Sequence, residues 1–173
     1  MILKPQDILF LLKLIAYGKK AWSFNKIAVE LSMSSSEVHA AAKRTLAARL
    51  AIKYEDKIRP QIRNLEEFLM HGLQYVFVPE RGQLSRGMPT SYACPPLNAF
   101  VVGSNEPAPV WPDPQGNIRG ESFSPLYKAV PAAARNDAQL YELLALVDAI
   151  RGGQTREREI AKKELKNRLS SYG

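Results

Sequence analysis

Cysteine and histidine are scarce in this chain, and their scarcity limits its chemistry. Cys94 is the single cysteine among 173 residues, so an intramolecular disulfide is excluded and a reducing, cytoplasmic setting is expected. His39 and His71 are the two histidines, and neither stands at metal-ligand spacing from a second ligand. We therefore expect no metal ion and no cofactor.

Sequence signatures of catalysis are missing as well. The pairs Arg81-Gly82 and Arg86-Gly87 lack the spacing and the lysine of a phosphate-binding loop. Cys94 stands directly before Pro95 and is interpreted as a structural or incidental thiol rather than a nucleophile. We predict that the protein is not an enzyme and has no catalytic residues.

Long hydrophobic runs are also absent. No apolar segment reaches the roughly 18 residues that a membrane helix needs. The apolar segment at residues 8–17 is interrupted by Lys13 and lacks the basic leader and cleavage site of a signal peptide. We expect neither a membrane partner nor secretion.

Positive charge is concentrated at one end of the chain. Residues 1–63 contain 12 Lys and Arg against 5 Asp and Glu, whereas residues 64–173 contain 12 of each. The whole net charge of +7 thus lies in the first part, as in proteins that bind nucleic acid. The alternative, a generally basic protein, would spread the excess more evenly.

The stretch that runs from Phe24 to Lys43, FNKIAVELSMSSSEVHAAAK, predicts two helices joined by a tight turn. Ser34 is expected to cap the second helix together with Glu37 in a capping box. Buried positions at helical spacing are Ile27, Ala28, Leu31, Val38, Ala41 or Ala42, Thr45 and Leu46. Ser32 and Met33 are expected to form the turn, with Met33 filling its corner. The opposite face of the second helix would expose Ser35, Ser36, His39, Ala40, Lys43 and Arg44.

This pattern resembles the helix-turn-helix of bacterial transcriptional regulators, with Ser32 where the family usually has glycine. A preceding helix over Pro5–Tyr17 and a hairpin with strands at 50–54 and 58–59 extend the likeness to residues 5–71. That segment resembles MarR-like winged-helix regulators in helix order. The alternative is a plain helical hairpin of a bundle.

The resemblance implies that the second helix, residues 35–48, reads the major groove of double-stranded DNA while basic residues at its flanks contact phosphates. The implied function is that of a repressor that binds as a homodimer. The candidate DNA-binding residues are Lys26, Ser34, Ser35, Ser36, His39, Lys43, Arg44, Lys53, Lys57 and Arg59.

The segment from Pro79 to Pro125 holds nine of the 12 prolines, so a long helix is excluded there. Short strands are predicted at residues 75–78 and 99–102, and a turn-rich connection is predicted between Val110-Trp111 and Ile118-Arg119. Four aromatic residues argue against a disordered linker. We expect an ordered, irregular segment over residues 73–127.

Two helices are predicted in the C-terminal part, the first capped by Asp137 and ended by Gly152-Gly153, the second opened by Thr155. Their apolar faces pack either within the chain or against a partner or second copy. The candidate interface residues are Leu140, Leu143, Leu144, Val147, Ile160, Leu165 and Leu169.

The C-terminal part also resembles small bacterial helix-turn-helix proteins encoded beside nucleotidyltransferase-like toxins, which implies an antitoxin or autorepressor role with a toxin partner. The expected fold class is mainly α with a small β component (α+β). The expected segments are a winged helix-turn-helix domain at 1–72, an irregular segment at 73–127 and a helical oligomerisation or partner-binding region at 128–173.

Overall fold

Residues 1–101 and 105–172 are described by a computed structural model. The helices are α1 (Pro5–Tyr17), α2 (Phe24–Leu31), α3 (Ser35–Ala47), α4 (Ile62–His71), α5 (Leu73–Val76), α6 (Val130–Arg135), α7 (Ala138–Gly152) and α8 (Thr155–Ser170). The strands are β1 (Ala51–Tyr54), β2 (Lys57–Pro60), β3 (Arg81–Pro89), β4 (Pro109–Pro112) and β5 (Ile118–Phe123). This mixture confirms the predicted α+β class.

Helix α1 lies in the centre of the protein and is buried on all sides. Helical spacing predicts one apolar stripe on it, formed by Ile8, Leu11, Leu12 and Ile15. Because α3 and α7 pack against α1 as well, Leu9, Phe10 and Leu14 are buried too. Lys13 is also buried, and its Nζ donates a hydrogen bond to Asp137 Oδ2 at 2.8 Å. Across the described residues, no helix combines the length and apolarity needed to cross a membrane.

Strands β1 and β2 form the predicted antiparallel hairpin. Tyr54 pairs with Lys57, which leaves Glu55 and Asp56 as a two-residue loop. Both loop residues have positive φ, 48° and 63°, as the tight turns that match the twist of a hairpin require. The hairpin therefore projects Lys57 directly from the end of its turn.

The middle of the chain forms a small closed sheet of three strands, where the sequence predicts an irregular segment. β3 pairs antiparallel with both β4 and β5, and β4 and β5 pair in parallel. Two glycines permit this closure: a Cβ on Gly87 would lie 2.2 Å from the Trp111 carbonyl oxygen, and one on Gly120 would lie 2.1 Å from that of Ala108. Glycine weakens the pattern by which a strand is recognised in a sequence, but here Gly87 and Gly120 allow the backbones of the three strands to approach one another closely.

A buried polar network joins this sheet to α7. Asp148 Oδ2 accepts hydrogen bonds from Thr90 Oγ1 at 2.6 Å and from Trp111 Nε1 at 2.7 Å, and its Oδ1 accepts from Arg151 Nη2 at 2.9 Å. Arg151 also donates to the carbonyl oxygens of Phe77 and Ser124, each at 2.9 Å. The network therefore places the sheet against α7 in one orientation.

Two predicted strands are wrong. Residues 75–76 belong to the short helix α5, and no strand covers residues 77–78. Ala99 ends a 3-10 turn and Phe100 follows it outside any strand, while Val102 lies outside the described residues. β-Branched and aromatic residues favour a strand only where a neighbouring strand can pair with them, and none does here among the described residues.

Helices α7 and α8 form the predicted C-terminal pair, and their apolar residues pack within the chain. Asp137 caps α7 by accepting a hydrogen bond from the Leu140 backbone N–H at 3.0 Å. Ile160 is half-buried, and the other six candidate interface residues are buried: Leu140, Leu143, Leu144, Val147, Leu165 and Leu169. These six residues contribute to one continuous core that also contains α1, α3 and α4, and Ile160 packs against that core, so of the two alternatives the structure has the apolar faces packed within the chain.

Candidate nucleic-acid interface

Helices α2 and α3 are joined by a tight turn whose geometry depends on Ser32. Ser32 adopts a left-handed conformation with φ 55° and ψ 40°, and the Met33 N–H donates to the Ala28 carbonyl oxygen at 2.9 Å. This is the conformation for which glycine is the usual residue, so Ser32 makes the turn at a steric cost. Met33 is buried at the corner, as predicted.

The N-terminus of α3 is held by the predicted capping box. Glu37 Oε2 accepts from the Ser34 N–H at 2.8 Å, and Ser34 Oγ accepts from the Glu37 N–H at 3.1 Å. The hydroxyl of Tyr127 donates to Glu37 Oε1, which lowers the pKa of Glu37 and raises that of Tyr127. The C-terminal part of the chain therefore contacts the start of α3 directly.

The exposed face of α3 carries Ser36, His39 and Lys43. The His39 ring stacks on Phe24 of α2 with centroids 4.0 Å apart. Phe24 in turn meets Trp22 edge-on at 5.3 Å. A row of rings therefore supports His39 and fixes the direction in which its imidazole points.

The other two candidate serines of α3 have partners inside the protein. Ser35 Oγ donates to Asn25 Oδ1 at 3.0 Å, which links the starts of α2 and α3. Ser34 Oγ lies 3.1 Å from Ser36 Oγ in addition to its capping bond. Ser34 and Ser36 are both exposed, and Ser36 is the one of the three serines that takes no part in a cap or a helix–helix bond.

Arg44 is the candidate whose surroundings differ most from the prediction. Its Nε donates to Asp7 Oδ2 and its Nη2 to Asp7 Oδ1, both at 2.8 Å, and its side chain is 14% exposed. The hydrogen bond to Asp7 raises the pKa of Arg44. The predicted position on the exposed face of α3 is therefore wrong: Arg44 packs α3 against α1 and pairs its charge within the protein.

The remaining candidate cations are exposed. Lys53 lies 4.0 Å from Asp56 in the hairpin, and the Arg59 guanidinium lies 5.1 Å from the centre of the Tyr54 ring. Lys26 lies on α2 with its Nζ 5.6 Å from the centre of the Tyr17 ring, and a hydrogen bond with Tyr17 raises the pKa of Lys26. These contacts leave the ammonium and guanidinium groups accessible to an anionic ligand.

A cavity of about 430 Å³ beside the hairpin was missed by sequence reasoning. It lies between the α1–α2 loop, strand β2 and the C-terminal Tyr172. It is lined by Gly18, Lys19, Lys20, Ala21, Trp22, Ser23, Phe24, Asp56, Lys57, Ile58, Arg59 and Tyr172. The available signal was the run of two lysines followed closely by Trp22 and Phe24, since cations interleaved with aromatic residues are typical of nucleotide-binding surfaces.

Cys94 lines a second cavity, of about 390 Å³, which none of the candidate DNA-binding residues lines. Burial raises the pKa of the Cys94 thiol to about 12, so the thiol is protonated at neutral pH. Over residues 1–101 and 105–172, no group of three His, Cys, Asp or Glu side chains is arranged to hold a metal ion.

Comparison of the chain with protein-family models, with curated proteins and with solved structures found no match.

Proposed function

We propose that this chain is a sequence-specific regulator of transcription, a repressor, that binds double-stranded DNA through a winged helix-turn-helix formed by α1 to β2. In this proposal α3 enters the major groove and the β1–β2 hairpin is the wing. The main support is the exposed face of α3, where Ser36, His39 and Lys43 follow one another along a helix anchored at its start. Slim polar residues followed by a cation suit a helix that approaches base edges.

Each exposed group has a distinct role in this proposal. His39 and Ser36 contact base edges, and Lys43 contacts a base or the adjoining phosphate. Lys26, Lys53, Lys57 and Arg59 contact phosphates on either side of the groove, which sets non-specific affinity and its salt dependence. Arg44 has no part in the contact, because its guanidinium is bound to Asp7.

A homodimer would place two copies of α3 in successive major grooves, about 34 Å apart. The buried faces of α7 and α8 cannot supply the contact between copies, because they are already packed in the core. A dimer would therefore use another surface. Footprinting that shows two protected half-sites on the DNA would reveal the dimer.

The test begins with selection of target duplexes from a random pool by the wild-type protein. Lys43→Ala is then compared with wild type on the selected duplex by mobility shift near physiological salt. We expect at least about a tenfold loss of affinity for Lys43→Ala, in line with the 1–3 kcal/mol of a specific contact. Lys163→Ala, which removes an exposed lysine from α8, is the matched control and should bind like wild type.

A second measurement separates specific from incidental binding. The affinity of Lys57→Ala should fall similarly on all sequences, and its slope of log affinity against log salt should be smaller by about 0.9. The proposal fails if selection yields no preferred sequence, or if Lys43→Ala binds the selected duplex as tightly as wild type does.

Exposed apolar residues favour a second candidate function, an antitoxin or interaction module that binds a partner protein. Tyr75, Val76 and Val78 are 76%, 55% and 68% exposed on and just after α5, outside the basic region. Clustered apolar residues of this kind mark protein contacts. Co-purification of the neighbouring gene's product with wild type but not with Val78→Asp would support this function; equal recovery with both would refute it.

A further inference from the structure

The cavity beside the hairpin has a strong local excess of positive charge. Of its lining residues, all within the described part of the chain, four are cationic (Lys19, Lys20, Lys57 and Arg59) and Asp56 is the one carboxylate. Asp56 is fully exposed at the tip of the hairpin, where Lys53 Nζ lies 4.0 Å away. The cavity is therefore suited to an anion, and phosphate is one of the anions that lysine and arginine side chains commonly bind.

The same cavity is lined by three aromatic side chains, Trp22, Phe24 and Tyr172. Trp22 and Phe24 are held in place by other rings, since Trp22 meets Phe10 edge-on at 6.1 Å and Phe24 stacks on His39. Within residues 1–101 and 105–172, no other ring stacks on Tyr172, which is half-buried. Arg59 and Tyr172 both line the cavity. Burial raises the pKa of Tyr172, and the charge of Arg59 opposes that rise.

The size of the cavity limits its occupant. Its volume of about 430 Å³ lies in the lower part of the range of roughly 300–1,000 Å³ that is typical of small-molecule sites. A single planar base with its sugar and phosphate is of that size. An aromatic wall for the base and cations for the phosphate are the two elements that nucleotide recognition requires.

We propose that this cavity binds a nucleoside monophosphate, with the base against Tyr172 and the phosphate against the lysine and arginine side chains, and that the bound nucleotide competes with DNA. The competition rests on the proposed DNA-binding function, because Lys57 and Arg59 line the cavity and are also candidate phosphate contacts. Phe24 forms part of both surfaces, since it lines the cavity and supports His39.

Binding is tested by titration calorimetry of the full chain with AMP, adenosine and inorganic phosphate as probes. We expect AMP to bind at least about tenfold more tightly than either fragment, because each fragment uses one of the two parts of the cavity. Tyr172→Ala should weaken AMP binding by at least about fivefold, the effect of losing one stacked ring. Lys20→Ala should also weaken it, whereas Lys163→Ala on α8 should not.

Failure of this proposal can be distinguished from failure of the DNA-binding function. Lys43→Ala should lose DNA affinity and keep AMP affinity. Tyr172→Ala should lose AMP affinity and keep DNA affinity. Inorganic phosphate that binds as tightly as AMP would overturn the nucleotide site, as would unchanged AMP binding in both Tyr172→Ala and Lys20→Ala. AMP that binds without weakening the DNA complex would overturn the competition.

Discussion

The N-terminal region, residues 1–63, and the C-terminal region, residues 73–172, each contain a buried aspartate bonded to an arginine, and they use it differently. Asp7 joins α1 to α3 through Arg44, with two bonds of 2.8 Å. Asp148 accepts from Thr90 and Trp111 as well as from Arg151, and so joins α7 to the small sheet. The first pair fixes a helix whose other face is exposed, whereas the second closes a core.

The two regions also differ in the charged side chains that they leave exposed at the surface. The N-terminal region still exposes Lys26, Lys43, Lys57 and Arg59 after its internal pairs are made. The C-terminal region has 12 basic residues against 10 acidic ones, and several of its surface cations are paired within it, such as Arg168 with Glu142 and Glu164. The pairing of a charge within the protein, more than its position on a helix, therefore decides whether that charge is available to a ligand.

The largest effect is expected where the closed core of the C-terminal region is broken. Asp148→Ala leaves the buried Arg151 guanidinium with its carbonyl acceptors but without its carboxylate partner, which costs about 3–5 kcal/mol of the free energy of unfolding. Urea denaturation measures the loss. Glu159→Ala removes an exposed carboxylate 4.0 Å from Lys162 and should change stability by less than about 0.5 kcal/mol. A loss below about 1 kcal/mol for Asp148→Ala would contradict a core held by this network.

Neighbouring cations on α3 test the comparison within the N-terminal region. Arg44→Ala should lower the free energy of unfolding by about 2–3 kcal/mol, because it leaves the fully buried Asp7 carboxylate without its partner. The loss should be smaller than for a fully buried pair, because the Arg44 side chain is partly exposed to water. Lys43→Ala, one residue away and exposed, should stay within about 0.5 kcal/mol of wild type. Thermal unfolding followed by circular dichroism measures the stability loss of each variant. Equal losses in the two variants would show that the difference in exposure between Arg44 and Lys43 does not decide which of them stabilises the fold.

The turn before α3 offers a smaller effect of opposite sign. Ser32→Gly should raise the free energy of unfolding by about 0.5–1 kcal/mol, because Ser32 has φ 55° and glycine adopts that conformation without a Cβ clash. Ala40→Gly, in the middle of α3, should instead lower it by about 1 kcal/mol. Destabilisation by both substitutions in urea denaturation would mean that Ser32 makes a contribution beyond its backbone conformation.

The smallest effect concerns the contact between the two regions at Glu37. The hydrogen bond from Tyr127 lowers the pKa of Glu37 from its usual 4.5, so its stabilisation is complete above that pH and is lost as the pH falls through the lower folded value. Glu37→Gln should cost about 0.5 kcal/mol at neutral pH after solvent screening. Urea denaturation from pH 7 to about pH 3 should show wild type and variant converging. A constant difference across that range would exclude ionised Glu37 as the cause.

The helices of the N-terminal region and the C-terminal pair could be predicted because local signals specify them. Ser34 with Glu37, Gly18 and Asp137 mark helix ends through bonds or conformations that involve a few neighbouring residues. Strand β3 could not be predicted, because its sequence, RGQLSRGMP, has neither alternation nor a run of β-branched residues. It is a strand because β4 and β5 supply its hydrogen bonds, and those partners are distant in sequence.

The candidate site likewise has features that could be predicted from the sequence and features that could not. The exposure of Ser36, His39 and Lys43 followed from helical periodicity. The pairing of Arg44 did not, because Asp7 lies 37 residues away. The cavity also escaped prediction, since Lys19, Lys57 and Tyr172 come from three separate parts of the chain.

The sequence by itself determined where most helices begin and end, which face of α3 is polar, and that the excess positive charge lies in residues 1–63. These properties depend on residues that are neighbours along the chain or along one helix. The tertiary structure alone decided which charges are paired, that the apolar faces of α7 and α8 are used internally, and that cations and aromatic rings meet in one cavity. The physical reason is that burial and ion pairing depend on contacts between distant segments, which form only when the core closes.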